Sequence, residues 1–163
     1  MKLKPIHKIL LHTDGSITRI LEAISNKEVV VETVRQEIIK ADKEIAKLLS
    51  LDEGEEVNYR IVNLKVDDDV LVHAISYTPL KRLEREFRED LMKADIPIGK
   101  IMKKHKIEAR REINWTKIER ANEMSKIFEI GRDDILLIRN YNIIHKGEIL
   151  INITEYFPAK KFD

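Results

Sequence analysis

The sequence ILINITEYFP at residues 149–158 alternates like a β-strand, which places Ile149, Ile151, Ile153, Glu155 and Phe157 on one face. Four of these side chains are apolar and the fifth is a carboxylate. Burying an ionised carboxylate costs several kcal/mol unless it is paired, hydrogen-bonded or protonated. Glu155 is therefore the first candidate site residue. Two other interpretations stay open: a salt bridge from Glu155 to an arginine inside the sheet, or burial of the other face of the strand.

The same segment belongs to an internal repeat with an offset of 79 residues. The shift aligns Arg60 with Arg139, Asn63 with Asn142, Leu71 with Leu150, Tyr77 with Tyr156, Pro79 with Pro158 and Lys81 with Lys160. Apolar positions between these pairs also coincide. We interpret the pattern as a structural duplication with units at about residues 29–82 and 108–161.

Each unit has the same predicted elements. A β-rich segment (29–38 or 109–118) comes first, and a short amphipathic helix follows it. A hairpin then joins 57–66 to 70–78 in the first unit and 136–144 to 148–157 in the second. Two such units predict one α+β domain over residues 1–163, with about six largely antiparallel strands and helices on one side of the sheet.

Two segments lie outside the repeat. After a turn at Asp14-Gly15, Ser16 is suited to cap a helix that carries Ile17 on its apolar face. The joining segment, residues 80–106, predicts two helices separated by a break at residues 95–97. We expect this helical hairpin to cover the sheet and to act as a lid.

Two arginines have the same unusual placement as Glu155. Arg60 shares a strand face with Val62 and Leu64, and Arg139 shares one with Tyr141. Arginine can bind a planar carboxylate through two parallel hydrogen bonds. Two inward arginines and one inward glutamate therefore predict a pocket for a small anion, although an Arg–Glu network without a ligand stays open as the alternative.

Composition and missing motifs narrow the function classes. The 163 residues include 30 Lys and Arg against 29 Asp and Glu, no cysteine, and no basic stripe typical of nucleic-acid or membrane-surface binding. The apolar runs are too short to span a bilayer, and no signal-peptide pattern is visible. The histidines lack metal-ligand spacing, and the sequence has no glycine-rich phosphate loop. We expect a cytoplasmic protein that works without a metal or a cofactor, and the sequence leaves its oligomeric state open.

Four motifs, in order, resemble the chorismate lyase (chorismate pyruvate-lyase) family in its archaeal and mycobacterial branch. They are DGSITRILE at 14–22, NYRIVNL at 58–64, PIGK at 97–100 and ITEYFP at 153–158. The resemblance implies an antiparallel sheet with helical flaps over an internal cavity. It also implies conversion of chorismate to 4-hydroxybenzoate and pyruvate without a cofactor.

The resemblance also implies roles for individual residues. Arg60 matches the carboxylate-binding arginine, Glu155 matches the acid near the ring hydroxyl, and Ile17, Ile98 and Gly99 fall among the substrate contacts. A second arginine of the family is matched by Ile75, so a dianionic substrate would need another cation, for which Arg139 and Lys81 are the candidates. The second half also resembles the effector-binding domain of GntR-type regulators, which shares the fold, so the alternative function is a sensor that binds an aromatic or sugar-acid anion.

Overall fold

The sheet has six antiparallel strands in the order β1-β2-β3-β6-β5-β4. The computed structural model describes residues 1–93 and 96–163. The strands are β1 (Val30–Lys40), β2 (Glu56–Val66), β3 (Asp69–Pro79), β4 (Arg110–Arg120), β5 (Ile135–His145) and β6 (Glu148–Pro158). The helices are α1 (Pro5–His12), α2 (Ile17–Ser25), α3 (Lys43–Leu49), α4 (Arg85–Lys93), α5 (Ile98–Lys104) and α6 (Ser125–Phe128). Short 3₁₀ turns span Leu80–Arg82, Asn122–Met124 and Ala159–Lys161.

The two hairpins meet at the centre of the sheet. There, β3 pairs with β6, so that residues 73–77 face residues 152–156. The hairpin strands of the second half begin 79 residues after those of the first, as the repeat predicts, while the interpretation as a duplication stays a prediction. Because the central pairing joins the two halves, side chains from β2, β3, β5 and β6 share one sheet face.

Four of the helices cover that shared face. The helices α1 and α2 pack against the end of the sheet where β2, β5 and β6 contribute Leu64, Leu137 and Phe157. The short helices α3 and α6 pack instead with the side chains that alternate to the opposite face, including Leu136 and Ile138. The sequence predicted helices on one side only. The alternate positions at both ends of the sheet are also apolar, so they too need a cover.

The N-terminal region contains one expected helix and one that was not predicted. As expected, α2 begins after Ser16, whose hydroxyl accepts a hydrogen bond from the Arg19 backbone nitrogen at 3.4 Å. The additional helix, α1, starts at Pro5 and buries His7 and Leu10. Proline fits the first turn of a helix because the backbone N–H groups of that turn have no acceptor within the helix, so the N–H that proline lacks costs no hydrogen bond.

The joining segment forms the helical hairpin that the sequence predicts. Phe87 of α4 and Ile101 of α5 pack on Tyr141, Ile143 and other side chains of β5 and β6. The predicted break at 95–97 falls partly on residue 95, outside the described residues, and α5 begins directly after Pro97. The hairpin therefore covers the sheet beside α2, and its function as a lid stays a prediction. No helix in residues 1–93 and 96–163 combines the length and the apolar character needed to cross a bilayer.

Candidate active site

A cavity lies between the shared sheet face and the first turns of α2 and α5. It encloses about 590 Å³ of atom-free space, part of which is continuous with solvent. Most of its wall is aliphatic, with contributions from Ile17, Val31, Val62, Leu64, Ala74, Pro97, Ile98, Ile143 and Ile153. Apolar walls with a few polar groups are typical of sites for small organic molecules.

Arg60 supplies a deeply placed cation to this wall. Its position in the middle of β2 leaves only 2% of the residue exposed. Its Nη2 donates a hydrogen bond to the backbone carbonyl of Ile96 at 3.0 Å. This contact links the cavity arginine to the chain just before α5, so a ligand held by Arg60 would lie directly beneath the helical hairpin.

Glu155 also lines the cavity, and protein groups bind both of its oxygens. Oε2 accepts a hydrogen bond from Arg139 Nε at 2.9 Å, and Oε1 accepts one from the Tyr141 hydroxyl at 2.6 Å. Arg139 is 0% exposed, and its Nη1 also donates to the Thr13 carbonyl at 2.7 Å. The Arg–Glu pair that the sequence left open therefore exists, yet its carboxylate still faces the cavity.

Burial and the neighbouring carboxylate fix the protonation state of Tyr141. Loss of solvent is the main cause that raises the pKa of its hydroxyl far above the usual value, and the negative charge of Glu155 raises it further. The Arg139 guanidinium lies 4.7 Å from the centre of the Tyr141 ring. Tyr141 is consequently a permanent hydrogen-bond donor, and it holds Glu155 in one orientation.

The carboxylate retains capacity for a ligand despite these two donors. Each carboxylate oxygen has two lone pairs, and the protein contacts described above use one on each oxygen. A hydroxyl group in the cavity could donate to a remaining lone pair of Glu155. The arrangement thus offers a hydrogen-bond acceptor at Glu155 and a cation at Arg60 within one apolar enclosure.

The structure separates the other predicted site residues into two groups. Ile17, Ile98 and Gly99 line the cavity. Lys81 lies elsewhere, in the exposed 3₁₀ turn after β3, where its Nζ contacts Glu55 at 2.8 Å. Arg139 lies behind Glu155 and is engaged by it, outside the cavity wall. We therefore discard Lys81 and Arg139 as cations for a second carboxylate.

Arg111 is a cation on the cavity wall that was not predicted from the sequence. It lies on β4 opposite Ile143, lines the cavity, and makes a long 3.5 Å contact from Nη1 to the Asp14 carbonyl. A signal was available, because Arg111 shares its strand face with Ile113, just as Arg60 shares one with Val62. Among the described residues, no cluster of three His, Asp or Glu side chains is arranged to hold a metal ion.

Comparisons with known sequences identify relatives over nearly the whole chain. A protein from Methanocaldococcus jannaschii with the provisional name lyase MJ0807 is 41% identical over 158 residues, which cover 94% of this chain and 78% of that protein. Chorismate pyruvate-lyase from Mycobacterium leprae is 29% identical over 159 residues, covering 95% of this chain and 75% of that enzyme.

Solved structures show that the fold also occurs in the effector domain of another protein, PhnF. The effector domain of PhnF from Mycobacterium smegmatis superposes with a TM-score of 0.77 at 14% identity, and the match covers 93% of each chain. Against the longer PhnF chain, the match covers 65% of that chain.

The model of the family described as chorismate pyruvate-lyase Rv2949c-like matches residues 11–162. The chain therefore belongs to the Rv2949c-like chorismate pyruvate-lyase family.

Proposed function

We propose that this protein eliminates pyruvate from chorismate and leaves 4-hydroxybenzoate. The observation that carries the proposal is that Arg60 and Glu155 line one apolar cavity, so that a cation and a hydrogen-bond acceptor border the same space. Membership of the family and the named enzyme from Mycobacterium leprae support the assignment.

The substrate fits this arrangement in one orientation. Chorismate has a ring carboxylate and, on the opposite side of the ring, a hydroxyl group next to the enolpyruvyl ether. We assign the ring carboxylate to Arg60, because a guanidinium binds a planar carboxylate well. The ring hydroxyl then donates to Glu155, while Ile17, Ile98 and the other aliphatic side chains contact the ring.

The reaction balances without any added reactant. The bond between the ring carbon and the ether oxygen breaks, and its electron pair leaves with the enolpyruvate. The carbon that bears the hydroxyl group loses its proton, and the ring becomes aromatic. That proton, or one exchanged for it, ends on the methylene carbon of enolpyruvate, which becomes pyruvate. We therefore expect neither a metal nor a cofactor to be required.

The protein's contribution is orientation in a largely apolar site. Tyr141 and Arg139 fix the carboxylate of Glu155, so little reorganisation is needed when a substrate hydroxyl binds. Arg60 holds the opposite end of the ring and contacts the Ile96 carbonyl, which lies at the base of the proposed lid. Opening of the hairpin formed by α4 and α5 would then release 4-hydroxybenzoate, and we expect that step to limit turnover.

A sensor is the second candidate function, and one observation favours it. Both oxygens of Glu155 already accept hydrogen bonds from the protein, so part of the accepting capacity of the carboxylate is in use. Such a group recognises a hydroxyl donor more readily than it removes a proton from carbon. A sensor would bind an aromatic acid in the same cavity and leave it unchanged.

Incubation of chelator-treated protein with chorismate distinguishes the two functions. We expect 4-hydroxybenzoate and pyruvate to appear together, in equal amounts and faster than without protein. Arg60→Gln should remove this activity, whereas Arg35→Gln, at an exposed arginine of β1, should retain it. Binding of 4-hydroxybenzoate with no turnover would favour the sensor, and neither binding nor turnover would contradict both functions. We expect the reaction to take place in the cytoplasm.

A further inference from the structure

A second, outer chamber adjoins the cavity that contains Arg60 and Glu155. Five residues line both spaces, and we call this shared boundary the neck: Ser16, Thr18, Pro97, Gly99 and Arg111. These residues come from the start of α2, the start of α5, and β4. The outer chamber is open to solvent and lies between α2, α5 and the chain that leads into β4, so the neck separates the inner cavity from a second solvent-facing space.

The outer chamber is rich in positive charge. Its wall contains five cationic residues, Arg19, Lys100, Lys103, Lys106 and Arg111, but only two acids, Glu22 and Glu108. Lys100 Nζ lies 3.7 Å from Glu22 Oε1, so these two opposite charges partly cancel each other. The chain as a whole has a formal charge of only +1. A local excess of cations around a concave surface attracts anions and raises their local concentration.

Arg111 holds unused hydrogen-bonding capacity at the neck. Within the described part of the chain, its buried Nε has no hydrogen-bond partner, and Nη1 makes only the long contact with Asp14. A Cβ atom added to Gly99 would lie 3.9 Å from Arg111 Nη2, so the guanidinium lies next to a residue that has no side chain. The guanidinium lines both spaces and is therefore positioned to donate to a ligand group at their boundary.

We infer that Arg111 binds the second carboxylate of a dicarboxylate substrate and that the cationic outer chamber is the route by which this arm enters and leaves. The inference rests on the proposed function and identifies the cation that Lys81 and Arg139 cannot supply. With the ring carboxylate at Arg60 and the ring hydroxyl at Glu155, the ether arm next to that hydroxyl extends toward the neck. After cleavage, pyruvate leaves through the outer chamber, and 4-hydroxybenzoate stays in the inner cavity.

Binding of two unreactive probes tests the role of Arg111 without requiring catalysis. The first probe is 4-hydroxybenzoate, which has one carboxylate, and the second is 3-(carboxymethoxy)benzoate, whose second carboxylate is on an ether arm. Since a charge-assisted hydrogen bond is worth enough to change affinity about tenfold or more, Arg111→Gln should weaken the second probe by about that factor and the first by less than about twofold. Arg110→Gln is the matched control, because Arg110 is the exposed neighbour of Arg111 and pairs with Glu112.

Calorimetric titration and the melting temperature separate the outcomes. An unchanged melting temperature with selective loss of the dicarboxylate probe supports the inference, and Arg111→Lys should then restore part of the affinity. Equal weakening of both probes, or weakening of neither, overturns it. If Arg111→Gln selectively weakens binding of the dicarboxylate probe but the unmodified protein does not cleave chorismate, the proposed reaction is rejected and the binding site is retained. If Arg111→Gln changes neither the cleavage of chorismate nor the relative affinity for the two probes, the binding site is rejected and the reaction is retained.

Discussion

Arg139 lies directly opposite Glu155 on neighbouring strands, and the two buried side chains form an ion pair with 2.9 Å between Nε and Oε2. Arg60 occupies the corresponding position in the first hairpin, where its cross-strand neighbour is Ser76. Ser76, like Arg60, lines the cavity. The two hairpins thus place an arginine at matching points of the sheet, but only the second supplies a carboxylate opposite it. In the first hairpin that place holds the small neutral side chain of Ser76, which adds little bulk to the cavity wall beside Arg60.

A carboxylate introduced at position 76 should convert the first hairpin to the arrangement of the second. Ser76→Glu places an acid opposite Arg60, where it would compete with the ligand for the guanidinium. We expect it to weaken 4-hydroxybenzoate binding at least about tenfold more than Ser76→Gln, which has similar size and no charge. Titration calorimetry on both variants measures the difference, and equal weakening would show that bulk, rather than charge, excludes the ligand.

Removal of one member of the buried ion pair should reduce stability strongly. Arg139→Met leaves Glu155 as a buried carboxylate with one of its two protein donors, and breaking a buried pair costs about 3–5 kcal/mol. The double variant Arg139→Met/Glu155→Leu removes both charges and should recover much of that loss. Urea denaturation gives both free energies of unfolding. A double variant no more stable than Arg139→Met would show that shape, rather than unpaired charge, dominates at this position.

Strand periodicity accounts for the part of the site that the sequence predicted. Alternation is a local property, so Glu155 and Arg60 were identified as charges on apolar faces, and both line the cavity. Arg111 has the same property, but a β-bulge between Ile113 and Trp115 shifts the strand register at Asn114, and the even alternation of a strand is lost there. Lys81 was predicted at the site but lies outside it. It follows the end of β3, where strand alternation no longer indicates which sheet face a side chain occupies.

The covering helices were harder to predict than the strands. An amphipathic pattern shows that a helix packs by one face, but it does not specify the sheet face that the helix covers. The sequence therefore predicted α3 and its apolar residues without indicating that this helix lies opposite the cavity. The helix α1, with the sequence PIHKILLH, was not predicted although it is longer than α3 and α5. Its burial depends on tertiary contacts with β5 and the C-terminal residues, which local periodicity does not contain.

A buried histidine on the opposite sheet face should make stability depend on pH. His73 is hydrogen-bonded to Asn63 at 2.7 Å, and burial lowers the pKa of its imidazole below the usual value of about 6.5. The unfolded chain therefore binds this proton more readily, so stability falls as pH drops from about 6.5 toward the lower folded-state pKa. His73→Gln should flatten the change in urea midpoint between about pH 7.5 and 5.5.

His12→Gln is the matched control for this experiment, because His12 is exposed at the end of α1. The carboxyl groups of Asp134 and Asp163 have pKa values lowered by nearby lysines, so their contributions are lost only at more acidic pH. An equal pH response in His73→Gln and in the unmodified protein would assign the dependence to other groups.

A methyl group at the neck should have opposite effects on stability and on turnover. Gly99 lies in the first turn of α5, and an added Cβ would be 3.8 Å from Ser16 Oγ, which is an ordinary contact. Alanine favours helix over glycine by about 0.5–1 kcal/mol, so Gly99→Ala should raise the melting temperature. It also narrows the passage beside Arg111, and we expect kcat/KM for chorismate to fall. A more stable variant with unchanged kcat/KM would place the substrate route elsewhere.

The lysines of the outer chamber should control how salt affects turnover. Because cations that attract a dianion over several ångströms are screened by salt, kcat/KM for chorismate should fall as ionic strength rises. The double variant Lys103→Gln/Lys106→Gln should have a lower kcat/KM at low salt, and its kcat/KM should fall less as salt is added. Lys43→Gln/Lys47→Gln removes the same charge from α3, which packs on the opposite sheet face, and should retain the full response. Equal flattening in both double variants would mean that the net charge of the protein, rather than the chamber, guides the substrate.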